Sequence, residues 1–241
     1  MHSAAAEGDN PIVNLSGSWY RLIPSRFPTI ELYKRIASEE NSIVLKKMEM
    51  LTNPRVRHKE ILTRTTSGLV ESSPKLQNWN HAPFAYRNPA GSRYLSGHFG
   101  VLEVFDALQT ALAVSIRRRE AFLSATNHPP INLDMRVLKH AIQGDFMDRT
   151  ADPIDMPCNQ RWKIGPPLLE SGAHGIYYRC PELPQGFGLA VFDNEVLGPA
   201  TQAEHYKFIW DGSGICAIYD YRSDSLGLPI GVDTIFDSSS H

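Results

Sequence analysis

The sequence predicts a single α+β domain with a mixed or antiparallel central sheet and flanking helices. Strand patterns do not alternate regularly with helix patterns, which argues against a doubly wound parallel sheet. The chain has no internal repeat, and its 241 residues with 42% hydrophobic content suffice for one domain with a proper core. We expect a loose lead over residues 1–17, the domain over residues 18–221 and a tail over residues 222–241.

The N-terminal third predicts a short strand, two helices and a long irregular segment. SWYRLIP, at residues 18–24, favours a strand that its proline closes. Apolar residues at three- and four-residue spacings predict two helices between residues 30 and 51. Residues 52–83 are polar and interrupted by proline and glycine, so we expect long loops or an insertion there.

The middle of the chain gives the clearest patterns. VLEVF, at residues 101–105, predicts a buried strand that leads directly into a helix, DALQTALAVSIRRREAFLSAT. Asp106 can cap this helix, and Gln109 can complete a capping box. Apolar residues including Phe122 are expected to form one inward stripe along it. INLDMRV, at residues 131–137, alternates apolar and polar side chains as a strand does.

The C-terminal third predicts one more helix and three more strands. A short helix is expected over residues 161–171, followed by a strand that begins at Gly175. FGLAVF at residues 187–192 and HYKFIWDG at residues 205–212 are typical of strands, and the Gly198-Pro199 dipeptide indicates a turn between them.

Charge and composition exclude several classes of function. The chain has 24 basic and 26 acidic residues, so nothing calls for a nucleic-acid partner. No apolar run approaches the ~18 residues of a membrane helix, and the N-terminus lacks the pattern of a signal peptide. Three cysteines without paired spacing favour free thiols in the cytoplasm. The nine histidines lack ligand spacing, so we predict no metal.

Standard catalytic signatures are absent, which leaves isolated polar residues at predicted strand and loop edges. The chain contains no GxxxxGK[ST], GxGxxG, GxSxG or HExxH motif. The basic run Arg117-Arg118-Arg119 is interpreted as a solvated helical face rather than a phosphate site.

Arg93 stands out because it lies in the loop NPAGSRYLSGHFG. Glycines at 91, 97 and 100 allow close approach of the backbone to a ligand, so the loop suits an anion. The alternative is a hairpin turn whose arginine is solvated or paired at the surface.

The order of these segments resembles the RES-domain family, named for an arginine, a glutamate and a serine at its site. WYRLIPSRF is similar to the family's opening strand with its arginine, and NPAGSRYLSGHFGVLEV to the loop and strand of the second arginine. DALQTALAVSIRRREAFL resembles the helix that reads TALAE in the family. GIYYRC resembles the segment in which the serine closes a GIxYxS pattern, and GFGLAVF the strand that follows. The resemblance spans roughly residues 18–212.

The resemblance implies a fold similar to the ADP-ribosyltransferases and a substrate, NAD⁺, with no further cofactor. Known members consume NAD⁺ as toxins of bacterial toxin–antitoxin pairs, and an Xre-type helix-turn-helix partner neutralises them. Arg21 and Arg93 would hold the diphosphate, and Cys180 would take the place of the serine. Four further residues are expected to contact the substrate, the first two by ring stacking: Tyr20, Tyr94, Gln160 and Tyr178.

The sequence departs from the family pattern at two positions. Val114 stands where the glutamate is expected, and Cys180 where the serine is expected. Two acids lie nearby, Glu103 and Glu120, but neither is a convincing substitute. Glu120 is six residues from Val114, on the opposite side of a helix with ~3.6 residues per turn.

Two hypotheses follow. The favoured one is an enzyme that cleaves the nicotinamide–ribose bond of NAD⁺ as a glycohydrolase, phosphorylase or ADP-ribosyltransferase. The other is a degenerate RES domain that binds NAD⁺ or a protein partner without turnover. Both leave a homodimer as an alternative to a monomer.

Overall fold

The computed structural model describes residues 11–25, 73–74, 77–222 and 229–237. Within these residues it contains a seven-stranded mixed sheet and four helices, so the predicted α+β class is confirmed. The two helices expected between residues 30 and 51 lie outside the described residues, as does most of the segment expected to form loops.

The described elements follow one another along the chain in this order: β1 (Ile12–Pro24), α1 (Asn78–Ala85), β2 (Leu102–Phe105), α2 (Leu108–Ala125), β3 (Ile131–Asp148), α3 (Cys158–Glu170), β4 (Gly175–Arg179), β5 (Phe187–Val191), β6 (Leu197–Trp210), β7 (Ile215–Asp220) and α4 (Val232–Phe236).

The sheet has the strand order β1-β2-β5-β4-β3-β6-β7, and β1 also pairs with β3. The first five strands of that order therefore form a closed ring, and β6 and β7 extend it from β3. All pairings are antiparallel except the short one between β3 and β4, which joins Met147 to Ile176 and Asp148 to Tyr177. Strand β3 is the central element because it pairs with three other strands.

Several strands are longer than the sequence patterns predict. β1 begins at Ile12, inside the segment expected to be a loose lead, because its whole length pairs with β3. β6 begins at Leu197, so the turn predicted near Gly198-Pro199 lies at residues 193–196 and the dipeptide itself is in the strand. The register between β3 and β6 shifts in this region, between His140 and Ile142. Glycine and proline are tolerated in strands at such irregularities, which is why a turn signal occurs inside a strand.

The start of α2 differs from the predicted capping box. Asp106 accepts hydrogen bonds from the backbone N–H of Ala107 and the hydroxyl of Thr110, both at 2.8 Å, so it does satisfy groups at this end. Gln109 instead donates from its side chain to the carbonyl of Ile235, at 2.9 Å. Ile235 belongs to α4 and is buried in the core, so the segment expected to be a tail carries a helix packed on the domain.

The core lies on both sides of β2. Leu102 and Val104 pack with Trp19 in one buried cluster. Phe105 packs in another cluster with Val114 and Cys180, two residues that the sequence analysis assigned to the site. A third cluster fills the space between α2 and the strands β3, β6 and β7.

A buried histidine connects β3 to α1. His140 is fully buried, and its Nδ1 lies 2.9 Å from Oδ1 of Asn80. The amide nitrogen of Asn80 donates to the carbonyls of Pro74 and Gly198, so the asparagine oxygen faces the ring and Nδ1 is the donor. Burial, together with the charge of Arg21, lowers the pKa of His140 to about 3, and the ring is neutral at pH 7.

We predict that His140 makes the fold sensitive to mild acid. In the unfolded chain this histidine takes up a proton near pH 6.5, whereas the folded chain resists protonation down to about pH 3. The free energy of unfolding should therefore fall, as the pH drops from about 6 to about 5, with a slope that approaches about 1.4 kcal/mol per pH unit from this group. Urea unfolding measured at several pH values tests this.

His140→Asn is the matched variant, because asparagine keeps a donor toward Asn80 and does not titrate. Its absolute stability is expected to be lower, since the smaller side chain leaves a cavity. Its slope above pH 5 should be shallower than that of the parent chain, and equal slopes would contradict the assignment.

Candidate active site

A cleft opens where β1 and β2 separate. The two strands share one register pair, Tyr20 with Phe105. Continued antiparallel pairing would bring Leu22 opposite Glu103, but the two strands form no further pair. The resulting cleft has a volume of about 740 Å³, which lies in the range of small-molecule sites.

The cleft is strongly basic, in contrast to the chain as a whole. Seven ionisable side chains of arginine and glutamate line it: Arg21, Arg93, Glu103, Arg118, Arg119, Arg161 and Glu182. Five guanidiniums against two carboxylates give a formal charge of +3 on a protein whose formal charge is −2. Such a concentration of positive charge favours an anionic ligand.

This cleft corrects one expectation. The run Arg117-Arg118-Arg119 was interpreted as a solvated helical face, but Arg118 and Arg119 line the cleft. Arg117 keeps the predicted role, because it is 57% exposed and pairs with Glu120 at 3.2 Å.

Arg93 is 7% exposed and is held by aromatic rings as well as by a hydrogen bond. Its Nη2 donates to the carbonyl of Ile154 at 3.2 Å. The guanidinium carbon lies 5.4 Å from the ring centre of Tyr178 and 5.8 Å from that of Tyr94, distances typical of cation–π contacts. The alternative prediction of a surface hairpin turn is therefore wrong, because Arg93 is buried.

The loop that carries Arg93 is packed against α3. Gly91 has a φ of +74°, and a Cβ there would lie 2.8 Å from Trp162 and from the carbonyl oxygen of Leu95. Trp162 also donates from its indole nitrogen to the carbonyl of Ser92 at 3.0 Å. Glycine is thus needed at this one position both for its backbone conformation and for the close approach of the helix.

Glu103 is 8% exposed and receives three donors inside the cleft. Its Oε1 accepts the backbone N–H of Arg93 at 3.1 Å and the hydroxyl of Tyr178 at 3.2 Å. Its Oε2 lies 2.8 Å from Nη1 of Arg118. Burial by itself would raise the pKa of Glu103, but the charge of Arg118 and these hydrogen bonds hold the pKa below its usual value. The carboxylate is therefore ionised at neutral pH.

Comparison with known proteins identifies the family. The model of the RES domain matches residues 70–211, which is more than half of the chain. The chain belongs to the RES-domain family. An uncharacterized protein, y4oC, of Sinorhizobium fredii is 43% identical over 210 residues, an alignment that covers 87% of this chain and 90% of that protein.

The segment that resembles the family's TALAE helix forms α2, and its valine lines the cleft. Val114 is 1% exposed and lines the cleft, as do Ala111, Ser115 and Arg118 from the same side of the helix. The position at which the resemblance predicts the family glutamate thus lines the cleft, but here it has an apolar side chain. Glu120 lies elsewhere, since its Oε1 accepts the backbone N–H of Ile215.

Cys180, which the resemblance places at the position of the RES serine, is part of the core. It is fully buried, and it is not among the residues that line the cleft, although Pro181 and Glu182 are. Burial, reinforced by nearby acids of which Glu182 is the first, raises the pKa of its thiol well above the usual value. The thiol is therefore protonated at neutral pH and acts as a small apolar side chain.

The structure brings together only some of the other residues expected at the site. Arg21, Arg93 and Tyr178 line one cleft. Tyr94 is fully buried, and its hydroxyl donates to Asp152 at 2.9 Å, so neither ring face is open for stacking.

Two further candidates lie outside the cleft lining. Tyr20 is half-buried, with Nζ of Lys139 lying 5.9 Å from its ring centre. Gln160 is exposed on α3.

Two exposed aromatic residues that were not predicted to belong to a site line the cleft. Tyr86 is 47% exposed and Phe122 is 58% exposed. Phe122 was expected on the inward stripe of α2, and this expectation is wrong. A large apolar side chain that remains exposed beside a cleft indicates a binding site, but this exposure can be recognised only in the structure.

Among the described residues, no group of three or more histidine, cysteine, aspartate or glutamate side chains is arranged to hold a metal ion. No helix in the same part of the chain is long and apolar enough to cross a membrane.

We predict that thiol reactivity separates Cys180 from the other two cysteines. Cys158 and Cys216 are exposed, whereas Cys180 is buried with a raised pKa. Iodoacetamide at about pH 8 should modify Cys158 and Cys216 in the native protein, and modification of Cys180 should require denaturant. Mass spectrometry of the alkylated peptides measures this, and rapid native modification of Cys180 would contradict its place in the core.

Proposed function

We propose that this RES protein binds NAD⁺ in the cleft between β1 and β2 and cleaves its nicotinamide–ribose bond. The observation that carries the proposal is the meeting of Arg21 and Arg93, which are distant in sequence, beside a buried carboxylate in one cleft. Guanidiniums suit the two phosphates of NAD⁺, because each offers paired N–H donors to phosphate oxygens.

The electrostatic state of the arginines supports diphosphate binding. Burial lowers the pKa of Arg21 to about 10, so its guanidinium remains charged at neutral pH. The Nε atoms of Arg93 and Arg161 are buried and have no hydrogen-bond partner in the described part of the chain. Burial and the charge of Arg93 also lower the pKa of Arg161, as expected for two nearby guanidiniums that an anion would stabilise.

The planar rings of NAD⁺ would stack on Tyr86 and Phe122. Both residues line the cleft and keep nearly half or more of their surface exposed. Stacking of a base on an aromatic side chain contributes about 1–3 kcal/mol. These residues replace Tyr20 and Tyr94 as the proposed stacking partners.

The proposed reaction builds positive charge on the ribose as nicotinamide leaves. A carboxylate that lines the cleft would stabilise this charge electrostatically. The group that then adds to the ribose is water in a glycohydrolase, phosphate in a phosphorylase and a protein side chain in an ADP-ribosyltransferase.

A second candidate function is binding of NAD⁺ or of a protein partner without turnover. Val114, which places an apolar side chain where the family glutamate would face the cleft, favours it. Incubation of the purified protein with NAD⁺, with and without phosphate, distinguishes the two functions by chromatography of free nicotinamide. Nicotinamide release that disappears in Arg21→Ala supports the enzyme, whereas binding without release supports the second candidate.

The cellular role that we propose is that of a cytoplasmic toxin neutralised by an Xre-type helix-turn-helix partner. Expression in a bacterial host should stop growth and deplete NAD⁺, and co-expression of an Xre-type helix-turn-helix protein, if one is encoded beside the gene, should relieve the arrest. Harmless expression with intact NAD⁺ would argue against a toxin.

We predict that Arg93→Ala weakens NAD⁺ binding by about 1.5–3 kcal/mol, the contribution of a hydrogen bond to a charged group. Isothermal titration calorimetry measures the change in Kd. Arg117→Ala is the matched control, because Arg117 is exposed, lies on α2 and is not part of the cleft lining. Equal affinities of the two variants would remove Arg93 from the binding site.

A further prediction concerns ring stacking. Phe122→Ala should weaken NAD⁺ binding by about 1–3 kcal/mol because one stacking surface is lost. Tyr221→Ala serves as the control, since Tyr221 is 53% exposed and does not line this cleft. A loss of affinity in the control as large as that in Phe122→Ala would show that the effect is not local.

A further inference from the structure

We propose that Glu103 is the catalytic carboxylate of this protein, acting from strand β2 in place of the helix glutamate that the RES family has at the position of Val114. This inference rests on the proposed function. It concerns a residue that the family pattern does not select, and it accounts for how the site works without a carboxylate on α2.

The two positions face the same space from neighbouring elements. Val114 lines the cleft from α2, and Glu103 lines it from β2, the strand that leads directly into that helix. Arg118 lies one helical turn after Val114, and its guanidinium reaches Glu103 at 2.8 Å. The carboxylate of Glu103 is therefore in contact with a side chain from the face of α2 that carries Val114.

The contacts of Glu103 leave it able to accept a hydrogen bond from a substrate. A carboxylate has about four lone-pair positions, and three donors from the described residues occupy this one. Oε1 accepts from Arg93 and Tyr178, whereas Oε2 meets only Arg118. One acceptor position on Oε2 thus remains for a ribose hydroxyl of a bound dinucleotide.

Arg93 links binding to the position of this carboxylate. Its backbone N–H donates to Glu103, while its guanidinium lines the cleft. If the guanidinium held a phosphate of the substrate, Arg93 alone would set the distance between that phosphate and the carboxylate of Glu103. Such pre-positioning allows a charged group to act without reorganisation when the bond breaks.

Glu103 would assist the departure of nicotinamide from the ribose. The bond between ribose C1′ and the nicotinamide nitrogen breaks, and its electron pair leaves with nicotinamide, which becomes neutral. The positive charge moves to C1′ and the ring oxygen of the ribose, where the ionised carboxylate stabilises it. Water then adds to C1′ and releases one proton to solvent, which gives ADP-ribose and nicotinamide.

Glu182 is the competing acid in the cleft. It is half-buried and lines the same space, but no hydrogen bond orients its carboxylate among the described residues. Glu103 is the better candidate because three donors fix its orientation and burial strengthens its field.

The test compares nicotinamide release by the full chain with that of Glu103→Gln and Glu182→Gln. Glutamine keeps the shape of the side chain and removes the charge. We expect Glu103→Gln to lower kcat by about 10²–10³-fold, the effect of losing one electrostatic contact in a transition state, while the Kd for NAD⁺ changes little. Glu182→Gln should lower kcat far less than Glu103→Gln does, and Glu120→Gln, whose side chain is not part of the cleft lining, should retain the kcat of the parent chain. Thermal unfolding verifies that each variant is folded.

A rescue experiment distinguishes a catalytic role of Glu103 from a purely structural one. Val114→Glu in the Glu103→Gln background returns a carboxylate to the family position, and we expect it to restore much of the lost kcat. Recovery would also show that Glu103→Gln had not simply unfolded the protein.

The remaining outcomes separate this inference from the proposed function. Full activity of Glu103→Gln, or activity lost only in Glu182→Gln, would overturn the role of Glu103 and leave NAD⁺ cleavage standing. An inactive parent chain that gains turnover only with Val114→Glu would overturn it as well, because Glu103 would then not replace the missing acid. A parent chain that neither binds nor cleaves NAD⁺, with or without that substitution, would overturn the proposed function itself.

Discussion

The buried carboxylate of Glu103 is the interaction on which the cleft depends. Its three donors come from separate parts of the structure: the backbone of Arg93 in the loop, Tyr178 on β4 and Arg118 on α2. An ionised carboxylate cannot be buried without such partners, because desolvation of an unpaired charge costs many kcal/mol. Removing any one donor would leave part of the charge uncompensated, so the loop, the helix and two strands keep their relative positions together.

The separation of β1 from β2 leaves the cleft beside this carboxylate. All thirteen residues of β1 pair with β3, from Ile12 opposite Met147 to Pro24 opposite Met135. β2 is only four residues long and pairs along its full length with β5. The other edges of the two strands face each other but pair only at Tyr20 and Phe105. The unpaired edges beyond that contact are where Arg21 and Glu103 meet open space.

The sequence predicted the local features of this site and missed those that depend on three-dimensional neighbours. The fold class, the strand at residues 101–105 and the helix after it follow from periodicity, and the structure confirms them. Nothing near Glu103 in sequence marks its partners, and Arg118 resembled an ordinary basic residue on a helix. Tyr94 looked available for stacking, but the buried bond of its hydroxyl to Asp152 is not visible in a pattern of residues.

Arg118 explains why a carboxylate on β2 and one on α2 are alternatives rather than additions. A glutamate at position 114 would be four residues before Arg118, a spacing at which acid and base pair along a helix. In this chain Val114 cannot form an ion pair, and the guanidinium of Arg118 pairs with Glu103. Two acids beside one guanidinium would repel each other, and the pKa of one would rise. With Val114 at that position, Arg118 pairs with Glu103, and this pairing keeps the buried carboxylate ionised in the cleft.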